Sequence, residues 1–191
     1  MHHTLAEIKS CTICKASLDH EPRPVVTASR TSKIIIIGQA PGRKVHESGI
    51  PWNDPSGELL RIWMGIDKEV FYNTDKIALI PMGFCYPGKG KSGDLPPQPE
   101  CAPRWHEELF EQITDKQLVV LIGQYSQRYY LGKRRQENLT ATVRQFTDYL
   151  PEYFPLPHPS PRNRLWLRNN PWFDKDVLPV FRQLAQSFLS S

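Results

Sequence analysis

The chain has 191 residues, 39% of them apolar, and a net charge of +4 with a pI of about 8.9. That length suits one domain over residues 1–191 with a core of its own, and the mild positive balance alone decides little about partners. No stretch is long and apolar enough to span a membrane and no charged leader precedes an apolar run, so a cytoplasmic protein with no membrane partner is expected.

Near the N-terminus stands Cys11-Thr12-Ile13-Cys14, a C-x-x-C pair whose thiolates can reach one metal centre. Cys85 and Cys101 complete the four cysteines, which in a reducing compartment are either metal ligands or free thiols. Thr31–Gly38, "TSKIIIIG", predicts a strand buried on both faces, because four consecutive isoleucines are β-branched and apolar. Ser56–Gly65 predicts a helix with a serine N-cap and a glycine stop. Lys76–Met82 predicts a second strand, Glu100–Thr114 a helix, Lys116–Gly123 a third strand, and Gln124–Leu131 and Thr140–Leu150 shorter helices. Tyr153–Pro157 predicts a short fourth strand, and a last helix runs from about Asp174 to Leu189 with Pro179 kinking or delaying it. Strands alternating with helices predict an α/β fold, a parallel sheet covered on both sides.

In such a fold ligands sit beyond the carboxyl ends of the strands. The segments there are "GQAPGRKVHESGIPWNDPSG", "GFCYPGKGKSGDLPPQPEC" and "HPSPRNRLWLRNNPWF", all rich in Gly or Pro and long for connections. Gly38-Gln39-Ala40-Pro41-Gly42 is a stiff turn that lets a ligand approach backbone, yet it is neither a P-loop nor GxGxxG. Trp52 can stack on a planar ligand or pack on the next helix. His158, wedged after a strand end among prolines, can act as acid, base or donor to a developing anion. Arg162, Arg164 and Arg168 surround Leu165, Trp166 and Leu167: either a phosphate-gripping wedge for a base stack, or core residues flanked by solvated arginines. Lys89 and Lys91 are further candidates for the DNA backbone.

Taken together these motifs resemble the uracil-DNA glycosylase superfamily, and most closely its iron–sulfur branch, family 4. That branch carries G-E-A-P-G-x-x-E-D-x-x-G-x-P-F followed by G-x-A-G-x-L-L. Here the run is Gly38-Gln39-Ala40-Pro41-Gly42, then Gly49, Pro51 and Trp52, then Ser56-Gly57-Glu58-Leu59-Leu60. The branch's four cysteines match Cys11, Cys14, Cys85 and Cys101, and its H-P-S-P motif matches His158-Pro159-Ser160-Pro161, continued by Arg162-Asn163 as in single-strand-selective uracil glycosylases.

The resemblance implies a three-layer α/β/α sandwich around a four-stranded parallel sheet, and a DNA glycosylase of base excision repair that acts, as an expected monomer, on single- or double-stranded DNA. It implies a structural 4Fe–4S cluster on the four cysteines; zinc fits the same sulfurs. His158 would stabilise the leaving base, Gln39 would place water, and Trp52 would stack on the flipped base. Gly38, Ala40 and Ser160 would line the base site, and Arg162, Asn163, Arg164 and Leu165 would meet DNA.

Two departures from that pattern matter, one in the first motif and one at the second strand. Gln39 replaces a glutamate and cannot take a proton from water at neutral pH. Val45 and His46 replace the acidic pair, so Asp54, or else Glu47, becomes the candidate base, unless Asp54 serves helix entry. Pro81 stands where the branch reads uracil with an asparagine, leaving Asn53 to supply an amide or the pocket to take another base. The alternatives to excision are a nucleic-acid-binding relative that keeps fold and cluster, and an enzyme of free nucleosides.

Overall fold

The computed structural model describes residues 1–91 and 93–190. In chain order its elements are α1 (His2–Lys9), β1 (Ile34–Ile37), α2 (Arg43–Ser48), α3 (Pro55–Met64), α4 (Lys68–Tyr72), β2 (Ile77–Leu79), the hairpin β3 (Lys89–Gly90) and β4 (Gly93–Asp94), α5 (Cys101–Gln112), β5 (Leu118–Ile122), α6 (Gly123–Leu131), α7 (Leu139–Arg144), β6 (Tyr153–Leu156), α8 (Arg164–Asn169) and α9 (Leu178–Leu189).

The main sheet has the order β2-β1-β5-β6 with every pair parallel; Ile34 lies opposite both Ile77 and Leu118, and Val119 opposite Tyr153. Successive side chains point to opposite faces, so the isoleucine run feeds two cores at once. Ile34 and Ile36 pack with Leu60, Trp63, Phe173 and Phe181 on one face. Ile35 and Ile37 pack with Ile8, Trp105 and Leu109 on the other. The result is the expected α/β/α sandwich.

The predicted strands are all present but shorter; β1 starts late because the segment before it is a turn tied by Ser32 Oγ, which donates to Thr74 O and accepts from Ser29 N. The helix expected from Ser56 begins one residue earlier, with Pro55 in its first turn and Asp54, not Ser56, as N-cap. Thr140–Leu150 is not one helix: α7 stops at Arg144 and a 3-10 turn covers Phe146–Tyr149. Before α9, Phe173–Val177 forms a π-helical turn, and Pro179 sits in the first turn of α9, where its missing N–H costs little. Among the described residues no helix is long and apolar enough to cross a membrane.

The chain steps from β1 outward to β2 on one side and resumes at β5 on the other. That reversal opens a crevice at the carboxyl ends of the central strands.

Candidate active site

A cavity occupies that crevice. Gly38, Gln39, Ala40, Pro41 and Gly42 reach it from the end of β1, Leu79 and Pro81 from β2, Trp52 and Asp54 from the approach to α3, and His158 from beyond β6. A wider outer groove shares Gln39–Gly42, Asp54 and His158 with it and adds Asp94, Ser160, Arg162 and Asn163. The shared residues form the mouth, and Val25, Val45, Leu79 and Pro81 belong to the inner cavity alone.

His158 is partly buried, and its ring lies 5.7 Å from the Trp52 ring at 27°. Burial pushes its pKa below the usual imidazole value, while the Asp54 carboxylate pulls the other way. The ring is therefore neutral at pH 7 and has one N–H to donate. Its turn is tied from within: Asn163 Nδ2 donates to His158 O at 2.7 Å, Asn163 N to Ser160 O at 2.8 Å, and Arg162 N to Ser160 Oγ.

Trp52 has φ 56°, an outlier for a bulky residue. Four contacts hold it. Tyr72 Oη donates to Pro51 O at 2.9 Å, and Arg61 Nη1 reaches Trp52 O at 3.5 Å. A Cβ at Gly57 would stand 1.8 Å from Trp52 O, and one at Gly38 2.8 Å from the indole ring. Both glycines are required by close approach rather than by turn geometry. Asp54 Oδ1 accepts from Gly57 N at 2.9 Å, so the same carboxylate caps α3 and faces the cavity.

The structure gathers Gly38, Gln39, Ala40, Trp52, Asp54 and His158 at one cavity, with Ser160, Arg162 and Asn163 along the groove. Other sequence expectations do not gather there. Asn53 is exposed and lines neither space, so it does not replace the amide absent at Pro81. Glu47 is exposed and paired with Arg43 at 2.8 Å. Trp166 points inward, donating to Thr140 Oγ1 and packing edge-on against Phe173, so it is no part of a wedge. Leu165 is 58% exposed at the start of α8, and Arg164 and Arg168 are exposed beside it. The Arg162 guanidinium lies against Gly93, where a Cβ would come within 2.7 Å of Nη1. Lys89 and Lys91 are exposed on the hairpin that carries Gly93.

Sequence reasoning missed the apolar inner wall and the Arg61–Tyr72 support of Trp52. It also missed a buried relay behind Pro81. His106 Nε2 lies 3.1 Å from Pro81 O and Nδ1 lies 2.5 Å from Tyr130 Oη. A carbonyl can only accept, so Nε2 carries the proton and Tyr130 donates to Nδ1. Burial lowers the His106 pKa to about 4, which keeps that neutral tautomer.

All four cysteines line a separate small cavity, together with Pro22, Pro24, Phe84, Gln98 and Trp105. Burial, followed for Cys14 by the neighbouring thiols and Glu100, pushes Cys14, Cys85 and Cys101 up to about 11. Among the described residues no three His, Cys, Asp or Glu side chains are gathered so as to hold a single metal ion. The segment 22–25 runs between the two cavities. Pro22 and Pro24 face the cysteines and Val25 faces the candidate base site. Arg23 Nη1 donates to His46 O and Glu47 O at the end of α2.

A sequence model of the uracil DNA glycosylase superfamily matches residues 25–182. Among solved structures, the chain is similar to a candidate uracil DNA glycosylase from Methanosarcina acetivorans determined by solution NMR. The two are 17% identical, the match covers 83% of this chain and 94% of that one, and the TM-score is 0.48.

Proposed function

Since the chain belongs to the uracil DNA glycosylase superfamily, we propose that it hydrolyses the N-glycosidic bond of uracil or another deaminated or damaged base in DNA. The observation that carries this reading is the meeting of Gln39, Asp54 and His158 at the mouth of one cavity, which Trp52 lines and which opens into a groove bearing Arg162.

In this reaction the C1′–N bond breaks, its electron pair leaves with the base, and the sugar gains oxocarbenium character. Water then adds at C1′ and loses a proton. Neutral His158 donates its N–H to the base carbonyl beside the glycosidic nitrogen, where the negative charge gathers. The Gln39 amide orients water, and the Asp54 carboxylate faces the cationic sugar and takes the water proton. Trp52 offers a face on which an extruded base stacks. Arg162, Arg164 and the exposed Leu165 form the DNA-facing rim, the arginines toward phosphate and the leucine toward the base stack.

We assign the chain to the iron–sulfur branch of the superfamily. Support comes from the convergence of all four thiols on one cavity. Cys11, Cys14, Cys85 and Cys101 would hold a 4Fe–4S cluster, whose contribution is to bind the N-terminal segment to the loop before α5.

The test is single-turnover excision on oligonucleotides, single- and double-stranded, carrying uracil, hypoxanthine, xanthine or an oxidised pyrimidine. Alkali-labile cleavage at one lesion, reduced about 10²–10³-fold in His158→Ala as for loss of an oxyanion donor, is expected. Salt-dependent DNA binding with no cleavage of any substrate by folded, cluster-loaded protein overturns excision and leaves a binding relative.

A further inference from the structure

Among the described residues, the side chains of the inner wall offer an incoming base edge no hydrogen bond beyond the Trp52 indole N–H. Its side chains are Val25, Val45, Leu79 and Pro81 facing the Trp52 ring, whose indole N–H is the one polar side-chain group among them. Several of its backbone groups are committed elsewhere. Leu79 exchanges both of its groups with Thr27, at 3.1 and 2.8 Å. Val25 N donates to Phe84 O, and Gly38 O accepts from Met82 N. Pro81 lacks an N–H, and its carbonyl accepts from His106, itself locked by Tyr130. Polar groups reappear only at the mouth, with Gln39, Asp54 and His158.

A base entering from the groove keeps its glycosidic nitrogen at the mouth, so its far edge meets this wall. In uracil that edge carries O4 and N3–H, and each would be buried without a partner. A site built to bond those groups would discriminate strongly by them; this wall does not.

We infer that the inner cavity accepts its base by shape and by stacking on Trp52, not by reading the far edge. The inference rests on the glycosylase reading above. The substrate class is then a nucleobase already unpaired or mispaired, chosen by how readily it leaves the stack. Bases firmly paired in a duplex are rejected because nothing at the wall repays their lost pairing.

The experiment uses the full chain and identical single-stranded oligonucleotides with one probe position. One probe is 2′-fluoro-deoxyuridine, whose glycosidic bond resists hydrolysis. The second is the 2,4-difluorobenzene C-nucleoside, which keeps the shape of uracil without its hydrogen bonds. The third strand is unmodified. Binding is read by fluorescence anisotropy at one salt concentration. Wild type is expected to bind the two probes within about threefold of each other, both clearly tighter than the unmodified strand, and Pro81→Asn, checked for folding by its melting curve, to favour uracil by about tenfold, the size of one net hydrogen bond. A wild-type preference for uracil over its nonpolar mimic of about tenfold or more overturns the inference while leaving the glycosylase reading intact. Equal binding of all three strands overturns the glycosylase reading, and the inference with it.

Discussion

Asp54 serves helix and cavity with different atoms, and two substitutions separate the roles. Asp54→Asn keeps an oxygen for the Gly57 N–H, so its melting temperature should hold while excision falls. Asp54→Ala should lose the cap as well, about 1 kcal/mol by denaturant titration. Asp54→Asn should also lower the His158 pKa further in an NMR titration, because the carboxylate is the group that holds it up. Asn163→Ala removes the bond to His158 O, so excision should slow about two- to tenfold, the range of one net hydrogen bond, with DNA binding unchanged. His158 and Gln39 were legible in the sequence because each stands at a strand end inside a Pro- or Gly-rich turn. The role of Asn163 was not. An asparagine beside arginines reads as a DNA contact until its amide is seen turned back on the chain.

Between Trp52 and Tyr72, helices α3 and α4 act as a mount for one strained side chain. Arg61 on α3 lies 5.2 Å from the Phe71 ring centroid and reaches Trp52 O, while Tyr72 on α4 holds Pro51 O. Gly57→Ala drives a methyl group into Trp52 O, and destabilisation of at least about 1–3 kcal/mol, as for an overpacked site, should appear in urea unfolding. Tyr72→Phe removes only a donor; it should melt nearly as wild type but bind flipped-base probes more weakly. The strands were readable because Ile34–Ile37, Leu118–Ile122 and their neighbours are continuous apolar runs, the signature of a sheet covered on both faces. Helices α2 and α8 were not readable. Each has six residues, and the prolines and glycines around them outweigh so short a period.

At the scale of the whole molecule, buried imidazoles set the acid limb of stability. His106 titrates near 6.5 when unfolded and about 4 when folded, so the two states bind protons equally above 6.5. Below it the unfolded chain gains a proton the native chain refuses. Stability should therefore fall between pH 6.5 and about 4, by up to about 1.4 kcal/mol per unit for one group. The lowered values of His46 and His158 act in the same direction. His106→Gln, which cannot titrate, should flatten that limb in urea unfolding across pH. A cluster on the cysteines predicts iron and acid-labile sulfide in equal amounts, and a lower melting temperature in Cys101→Ser. The four cysteines were legible as a set through the family resemblance, since spacing alone marks only the Cys11–Cys14 pair. That they share a wall with the base site was not, since the segment 22–25 carries no motif.

That wall is two-sided. Pro24 and Val25 are adjacent in the chain, yet one belongs to the cysteine cavity and the other to the base cavity. The planar peptide group they share is the shortest covalent path between the two linings. A shift on the cysteine side therefore has a direct covalent route to the candidate base pocket. Under the proposed function, oxidation of those thiols should change the ratio of excision between lesions in the oligonucleotide assay more than it changes DNA binding.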